Sequence, residues 1–329
     1  MAMTTEAMRA ALGAPAEGFV RLSLNENRRE PLPGVADAIA DAAREPGRGP
    51  DPLCSELSAA LARRHSVDVG NVLVSVGSSA VLQALCQIID GEVVHPWPSF
   101  EMYPLMAGAK AVAAPADLDA LGAAVTGKTG AVILCNPNNP TGERWRGAEI
   151  EKFLAALRDD VVVVLDEAYR EFGEDCADGV ELFRRDPRVC VVRTFSKAYG
   201  LFGLRVGYAI AEPGLIGRLR LALLPFLVPT TAQAAALAAL RAETAMRQSV
   251  AGICRDRDAL RAALLDLGWT VPRSHANFLW LPGAGEPLVE FLAQRGILVR
   301  EVAGSGVRIT VGTGEENRKL LAALEEFPP

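Results

Sequence analysis

Between residues 72 and 221 short apolar runs alternate with helix-forming segments, and most runs end on polar or glycine-rich residues. Val72–Val76, Val93–Val94, Ala131–Cys135, Val161–Leu165 and Val189–Val192 read as buried strands. Ser78–Ile89, Ala148–Arg158 and Leu215–Leu221 read as helices between or after them. This alternation predicts an α/β fold with a mostly parallel central sheet and helices on both faces. Ligands of such sheets gather at the carboxyl ends of the strands, so the residues that follow each run are the first candidates for chemistry.

After Pro229 the pattern changes. Thr231–Leu267 is a long alanine- and leucine-rich helical stretch, with a break expected near Gly252. Ala276–Leu281, Ile297–Val302 and Val307–Val311 read as strands, and Pro287–Arg295 and Glu315–Glu325 as helices. These predict a smaller α+β domain, joined by the amino-terminal segment with its Leu22-Ser23-Leu24 run. The expected division is 46–229 for the large domain and 1–45 with 230–329 for the small one. With 329 residues, 50% of them hydrophobic, the chain can bury a large core. A net charge of −6, with no basic stretch interleaved with aromatics, argues against a nucleic-acid partner. The six cysteines form no CxxC pair, which favours buried reduced thiols over a disulfide framework or a zinc site. Glu6, Arg9 and Glu17 interrupt the alanine-rich start, which lacks the basic-then-apolar plan of a secretory signal. Val161–Leu165 is too short to span a bilayer. A cytoplasmic protein with no membrane partner is expected.

Lys197 follows the run Val189–Val192 and precedes a glycine-rich turn, with Arg205 eight residues on. Burial lowers an amine's pKa and frees its lone pair to condense with an aldehyde. Thr194, Ser196 and Arg205 can hold a phosphate ester. A lysine beside a phosphate cradle is what pyridoxal 5′-phosphate (PLP) requires. Asp166, after Val161–Leu165, can pair with a protonated pyridine nitrogen, and Tyr169 can hydrogen-bond the ring's phenolic oxygen. Asn139, in Asn136–Gly142, can donate to the same oxygen. Ser78 and Ser79 open a helix after Gly77 and suit an anion. Phe100, in Pro98–Tyr103, can stack on a cofactor ring. Arg308 interrupts an apolar strand and fits bidentate recognition of a carboxylate, and Arg300 can face the same cleft. Taken singly, each admits a plainer reading: an N-cap, a structural turn, a core aromatic or a solvated edge arginine. His65, His95 and His275 show no metal or triad spacing, and no GxSxG elbow occurs.

In this order the motifs resemble those of the fold-type I PLP-dependent aminotransferases. The likeness is greatest to the histidinol-phosphate aminotransferase family, which includes aromatic amino-acid aminotransferases. It runs from about Leu22 to about Leu324, through Asn25-Glu26-Asn27, Gly77-Ser78-Ser79, Pro98–Tyr103, Asn136–Gly142, Asp166–Tyr169, Thr194–Tyr208, Ser274–Phe278 and Arg308–Thr313. The resemblance implies that Lys197 carries PLP and shuttles a proton, and that Asp166 pairs with the pyridine nitrogen. By the same resemblance Asn139 and Tyr169 contact the phenolic oxygen and Phe100 stacks on the ring. Ser78, Ser79, Thr194, Ser196 and Arg205 hold the phosphate, and Arg308, Arg300 and Asn25 border the substrate. The implied reaction moves an amino group between histidinol phosphate or an aromatic amino acid and a 2-oxo acid such as 2-oxoglutarate. The implied assembly is a homodimer. The same core would support a threonine-phosphate decarboxylase-like enzyme or an oxidative deaminase. A PLP-binding regulatory domain is the non-enzymatic alternative. Three departures stand out: Gly49 where the family usually has a tyrosine that reaches the neighbouring subunit, Arg28-Arg29-Glu30 after Asn27, and Phe202 in place of a small residue.

Overall fold

The computed structural model describes residues 18–302 and 304–327. The absence of a secretory signal, and the first part of the small-domain assignment, concern residues outside that range. Twelve strands occur among the described residues. They are β1 (Val20–Arg21), β2 (Val72–Ser75), β3 (Glu92–Trp97), β4 (Ala111–Pro115), β5 (Thr129–Cys135), β6 (Val162–Asp166), β7 (Val189–Thr194), β8 (Gly207–Ile210), β9 (Phe278–Pro282), β10 (Ile297–Leu298), β11 (Arg300–Val302) and β12 (Gly306–Thr310).

A seven-stranded sheet runs in the order β2-β8-β7-β6-β5-β3-β4. Neighbouring pairs from β7 through β4 are parallel, whereas β8 is antiparallel to both β7 and β2. The sheet thus has six strands in one direction and one reversed. β4 and β8 lie outside the five sequence-expected strands. Ala111–Pro115 is alanine-rich and half exposed, and Gly207–Ile210 follows a glycine-rich turn, so neither has the aliphatic signature of β5 to β7. Side chains alternate between faces with the period of two inherent to a strand. In β6 and β7, Val163, Leu165, Val189 and Val191 pack into one apolar cluster, while Val164, Cys190 and Val192 pack into the other. Both faces are covered, which explains why these strands read as unbroken apolar runs.

A three-stranded antiparallel sheet, β11-β12-β9, and the parallel pair β1-β10 form the smaller layer. Leu22, Leu279, Leu281, Val307, Ile309 and Leu320 share its core. The expected strand Ile297–Val302 is two strands that pair on different sides: β10 with β1, and β11 with β12. The expected helix Thr231–Leu267 is also two, Thr230–Arg241 and Glu243–Asp266. The break lies at Ala242, and Gly252 sits buried inside the second helix, against which Arg29 packs. Helices Val35–Ala42 and Thr230–Arg241, read from sequence with the smaller unit, pack on each other and bury Val35, Ala232 and Ala236 in the large core. No helix among the described residues is long and apolar enough to cross a membrane.

Candidate active site

Five of the loops that carry the candidate residues leave the carboxyl ends of parallel strands: Gly77-Ser78-Ser79 after β2, Pro98–Tyr103 after β3, Asn136–Gly142 after β5, Glu167–Tyr169 after β6 and Phe195–Tyr199 after β7. Arg205 reaches the same edge by another route. It precedes β8, and because β8 is reversed, its amino end lies where the others have carboxyl ends. Thr194 is the register partner of Gly207, which fixes Arg205 beside the Lys197 loop.

Lys197 is 9% exposed, and its Nζ donates to the backbone oxygens of Leu24 at 3.0 Å and Asn25 at 3.2 Å. Burial, with Arg308 and Arg205 nearby, lowers its pKa to about 7, against an ordinary lysine value above 10. The ammonium nitrogen lies 4.8 Å from the Phe202 ring centroid, and Arg205 lies 5.3 Å from the same ring. Phe202 therefore lies against both cations. Asn27 donates from Nδ2 to the backbone oxygens of Lys197 and Ala198, both at 3.2 Å, and pins the turn.

Asp166 is 4% exposed, yet no cation among the described residues forms an ion pair with it. Its Oδ2 accepts from the Tyr103 hydroxyl at 2.7 Å and its Oδ1 from the Ala168 amide at 3.2 Å. Burial dominates and raises its pKa to about 6, against these two hydrogen bonds that favour the ionised form. Tyr103, completely buried, also meets the edge of the Phe100 ring, with centroids 5.4 Å apart. Sequence reasoning chose Phe100 from this loop and did not single out Tyr103. The available signal was a tyrosine among apolar residues, whose hydroxyl must find a partner when buried.

Asn25 links the two layers. It is buried with φ +54°, a conformation that asparagine tolerates better than most residues. Its Nδ2 donates to the Tyr169 hydroxyl at 2.8 Å, its Oδ1 accepts from the Thr310 hydroxyl at 3.0 Å, and its own backbone oxygen accepts from Asn277 at 3.1 Å. Its side chain is thus engaged at both ends, which turns it toward Tyr169 and β12. Thr310 and Asn277 complete this network and were not chosen from sequence. Burial lifts the Tyr169 phenol to about 12.

Arg308 projects from β12 and is buried. Its Nη1 donates to Asn139 Oδ1 and its Nη2 to the Ser23 backbone oxygen, while its Nε has no partner. With the Asn139 oxygen taken, the donor end of that amide is left for another acceptor. Burial, with the like charge of Arg300, lowers the Arg308 pKa against the opposing influence of Tyr169 and Glu101. Arg300 stands opposite Arg308 in register, as expected of two residues facing one cleft, but it is already engaged: Glu101 Oε2 accepts from its Nη2 at 2.7 Å.

Around the Lys197 turn, Thr194 Oγ1 donates to Ser196 Oγ at 2.9 Å, and Arg205 Nη1 approaches Ser196 Oγ at 3.4 Å. Arg205 adopts φ +56° and makes no carboxylate pair among the described residues. A Cβ on Gly77 would come within 2.8 Å of the Arg205 guanidinium, so the glycine lets the helix amino end that carries Ser78 and Ser79 close on Arg205. No group of acidic, histidine and cysteine residues among the described ones could hold a metal.

The site thus gathers a buried carboxylate without a cation, a neutralisable lysine, and two arginines without carboxylates. These groups complement a ligand with a cationic ring nitrogen, an aldehyde and a phosphate, together with a substrate carboxylate. That donor set fits PLP.

Comparison with known proteins agrees. A model of the family "Aminotransferase class I and II" matches residues 17–324. An aromatic amino acid aminotransferase of Thermobifida fusca is 47% identical over 324 residues, covering 94% of this chain and 90% of that protein. The crystal structure of histidinol-phosphate aminotransferase from Sinorhizobium meliloti in complex with pyridoxal-5'-phosphate superposes with a TM-score of 0.88 at 28% identity, covering 99% of this chain and 95% of the other. The L-threonine-O-3-phosphate decarboxylase of Porphyromonas gingivalis superposes with a TM-score of 0.82 at 27% identity, covering 94% and 99%. The chain belongs to the class I and II aminotransferase family, and it is a PLP-dependent aminotransferase of fold type I.

Proposed function

We propose that the enzyme transfers the amino group of an aromatic amino acid to a 2-oxo acid such as 2-oxoglutarate. The observation that carries this reading is Arg308, a buried guanidinium with one unpartnered N–H and no carboxylate of its own, which suits the α-carboxylate that every amino acid carries. The name of the 47% identical relative supports the aromatic side chain.

PLP, when bound, supplies an aldehyde that takes up the amino group and a cationic ring that draws electrons from the substrate's Cα. The chain's residues do the rest. Lys197, with a pKa near 7, would take the Cα proton on Nζ and deliver it to the cofactor's C4′ carbon, because its neutral and charged forms lie close in energy at neutral pH. Asp166 would hold the proton on the ring nitrogen, and that pairing would relieve the cost of its own burial. Tyr169 and Asn139 would face the phenolic oxygen, Phe100 the ring, and Ser78, Ser79, Thr194, Ser196 and Arg205 the phosphate. Asn25 positions Tyr169 at the substrate's border.

The enzyme acts as a homodimer in this reading. Leu53, Leu221, Leu224 and Phe226 are 52%, 89%, 75% and 56% exposed. Gln233 donates to the backbone oxygens of both Asp51 and Val228, which brings the Leu53 and Phe226 segments together into one apolar surface.

The test is a donor panel. Phenylalanine, tyrosine, histidinol phosphate, glutamate and threonine phosphate are each given to the loaded enzyme, with 2-oxoglutarate as acceptor, or phenylpyruvate where glutamate is the donor. Preferred formation of aromatic 2-oxo acids supports the reading. Carbon dioxide release from threonine phosphate without an acceptor would overturn it in favour of decarboxylation.

A further inference from the structure

A row of hydrogen bonds runs from β12 to Tyr169, and the direction of each fixes the next. The Asn25 backbone N–H can only donate, and it donates to Thr310 Oγ1 at 2.9 Å. Thr310 Oγ1 lies 3.0 Å from Asn25 Oδ1, so the single proton of the hydroxyl goes there. The Asn25 carboxamide is thereby set with Nδ2 toward Tyr169, whose hydroxyl oxygen accepts from it at 2.8 Å. With the carboxamide turned over, the Thr310 proton would face a second donor. Thr310 and Asn25 are each 1% exposed, and among the described residues that proton has no other acceptor within hydrogen-bond distance. The backbone of Asn25 is pinned as well, since its oxygen accepts from Asn277 at 3.1 Å and from Lys197 at 3.2 Å.

The Tyr169 hydroxyl, its oxygen engaged by Asn25, keeps its own proton for another acceptor. Burial holds that phenol protonated at neutral pH, with its pKa lifted to about 12. Asn139 is treated alike: Arg308, on the same face of β12 as Thr310, takes Asn139 Oδ1 and leaves the donor end of that amide. We infer that Thr310 is a positioning residue: acting through Asn25, it makes Tyr169 present a proton, rather than a lone pair, toward the cofactor's phenolic oxygen. One face of one small-layer strand thus sets a donor at each of the two contacts to that oxygen. A donor favours the more negatively charged form of the oxygen it meets, so it lowers the pKa of the bound cofactor. The inference rests on the reading that Tyr169 faces the phenolic oxygen, and adds what orients its hydroxyl.

The experiment follows the visible absorbance of the PLP-loaded protein against pH, without substrate, to read the pKa of the bound cofactor. Wild type is compared with Thr310→Val, which keeps the shape and removes the hydroxyl, with Thr310→Ser, which keeps a hydroxyl, and with Tyr169→Phe. Thr310→Val should raise the cofactor's pKa by about one unit, as for the loss of one hydrogen bond to a charged oxygen. Thr310→Ser should titrate as wild type does. Thr310→Val added to Tyr169→Phe should give no further shift, because the route through the Tyr169 hydroxyl is gone. Asn25→Asp gives an independent reading should Thr310→Val fold poorly. It keeps the acceptor for Thr310 but turns the donor facing Tyr169 into an acceptor, so its upward shift should be larger with the Tyr169 hydroxyl present than in Tyr169→Phe. A pKa unmoved by Thr310→Val but raised by Tyr169→Phe would overturn the role of Thr310. So would a Thr310→Val shift that persists without the Tyr169 hydroxyl or that Thr310→Ser reproduces. A pKa unmoved by Tyr169→Phe would instead overturn the placement of Tyr169 itself.

Discussion

Asp166 and Glu167 are neighbours in the chain, as are Arg193 and Thr194, yet each pair splits between two clusters of opposite character. On one face of the large sheet, Glu167 Oε2 accepts from Arg193 Nε at 2.8 Å and Oε1 accepts from the Gly179 amide at 2.7 Å. Arg193 also reaches Asp178 at 2.9 Å, and Arg170 reaches Asp178 at 2.7 Å. His65, held between Arg193 and the Tyr208 hydroxyl, is driven down to a pKa of about 3 by burial and the adjacent arginines, so it stays neutral. On the other face Asp166 has only neutral donors, and at the same edge Lys197 and Arg308 have only neutral acceptors. The first cluster is closed: each charge has its counter-charge within the chain. The second is open, and its charges are costly until a ligand arrives. Burial alone does not mark a functional site here; buried charge without a partner does.

Replacing Lys197 by Ala should produce the largest effect. Transamination should fall by about 10⁴-fold or more, since general acid–base catalysis alone supplies up to that factor. Urea unfolding of the cofactor-free protein should show no loss of stability, because the open cluster stabilises nothing by itself. A variant that still transaminates at a substantial rate would break the assignment.

In the closed cluster the order reverses. Arg193→Met strands Glu167 and Asp178, and should cost about 3 to 5 kcal/mol of unfolding free energy by the same urea titration. An unchanged midpoint would show that the two clusters are not energetically distinct.

Arg308→Lys keeps the charge but loses the planar fork. The KM for an aromatic donor should rise about tenfold or more, with kcat changed less.

The pH response follows from the open cluster. Lys197 has its folded pKa lowered to about 7, so it is charged below that value, and Asp166, raised to about 6, is protonated below that one. The folded protein therefore binds fewer protons at Lys197 than the unfolded chain does above pH 7, and this group's contribution to apo stability rises as pH increases through that range. Asp166 has the opposite sign: its stability contribution is present at low pH and is lost as pH rises through about 6. PLP loading requires neutral Lys197 and ionised Asp166, so its rate, followed by absorbance, should fall steadily from pH 8 to pH 5.

The smallest effect is expected at Tyr103. Tyr103→Phe removes one hydrogen bond to Asp166 and should raise the pKa of that carboxylate, shifting the acid limb of PLP loading upward and weakening PLP affinity by about 1 kcal/mol.

Much of the open cluster was legible in the chain, because its parts are local. A glycine turn, a helix start or a residue ending an apolar run is written within a few positions, and the loops after β2, β3, β5, β6 and β7 all carry such marks. Tyr103, Asn277, Thr310 and Glu101 were not, since each acts through a partner far off in sequence, as Thr310 does on Asn25, 285 residues away. Strand alternation does foretell that Asp166 and Glu167 face opposite ways, but not which face is closed.

The sequence by itself determined the α/β alternation, the cofactor class and the order of the candidate residues along the sheet's edge, because apolar periodicity and turn chemistry are short-range. Tertiary structure decided the rest. The reversal of β8 brings Arg205 to the right edge of the sheet, and the register of β11 on β12 sets Arg300 against Arg308. The packing of the two layers brings Glu101 onto Arg300 and leaves Arg308 with neutral acceptors and an unpartnered Nε. Charge pairing depends on which groups burial brings within a few ångströms, and no local pattern in the chain encodes that distance.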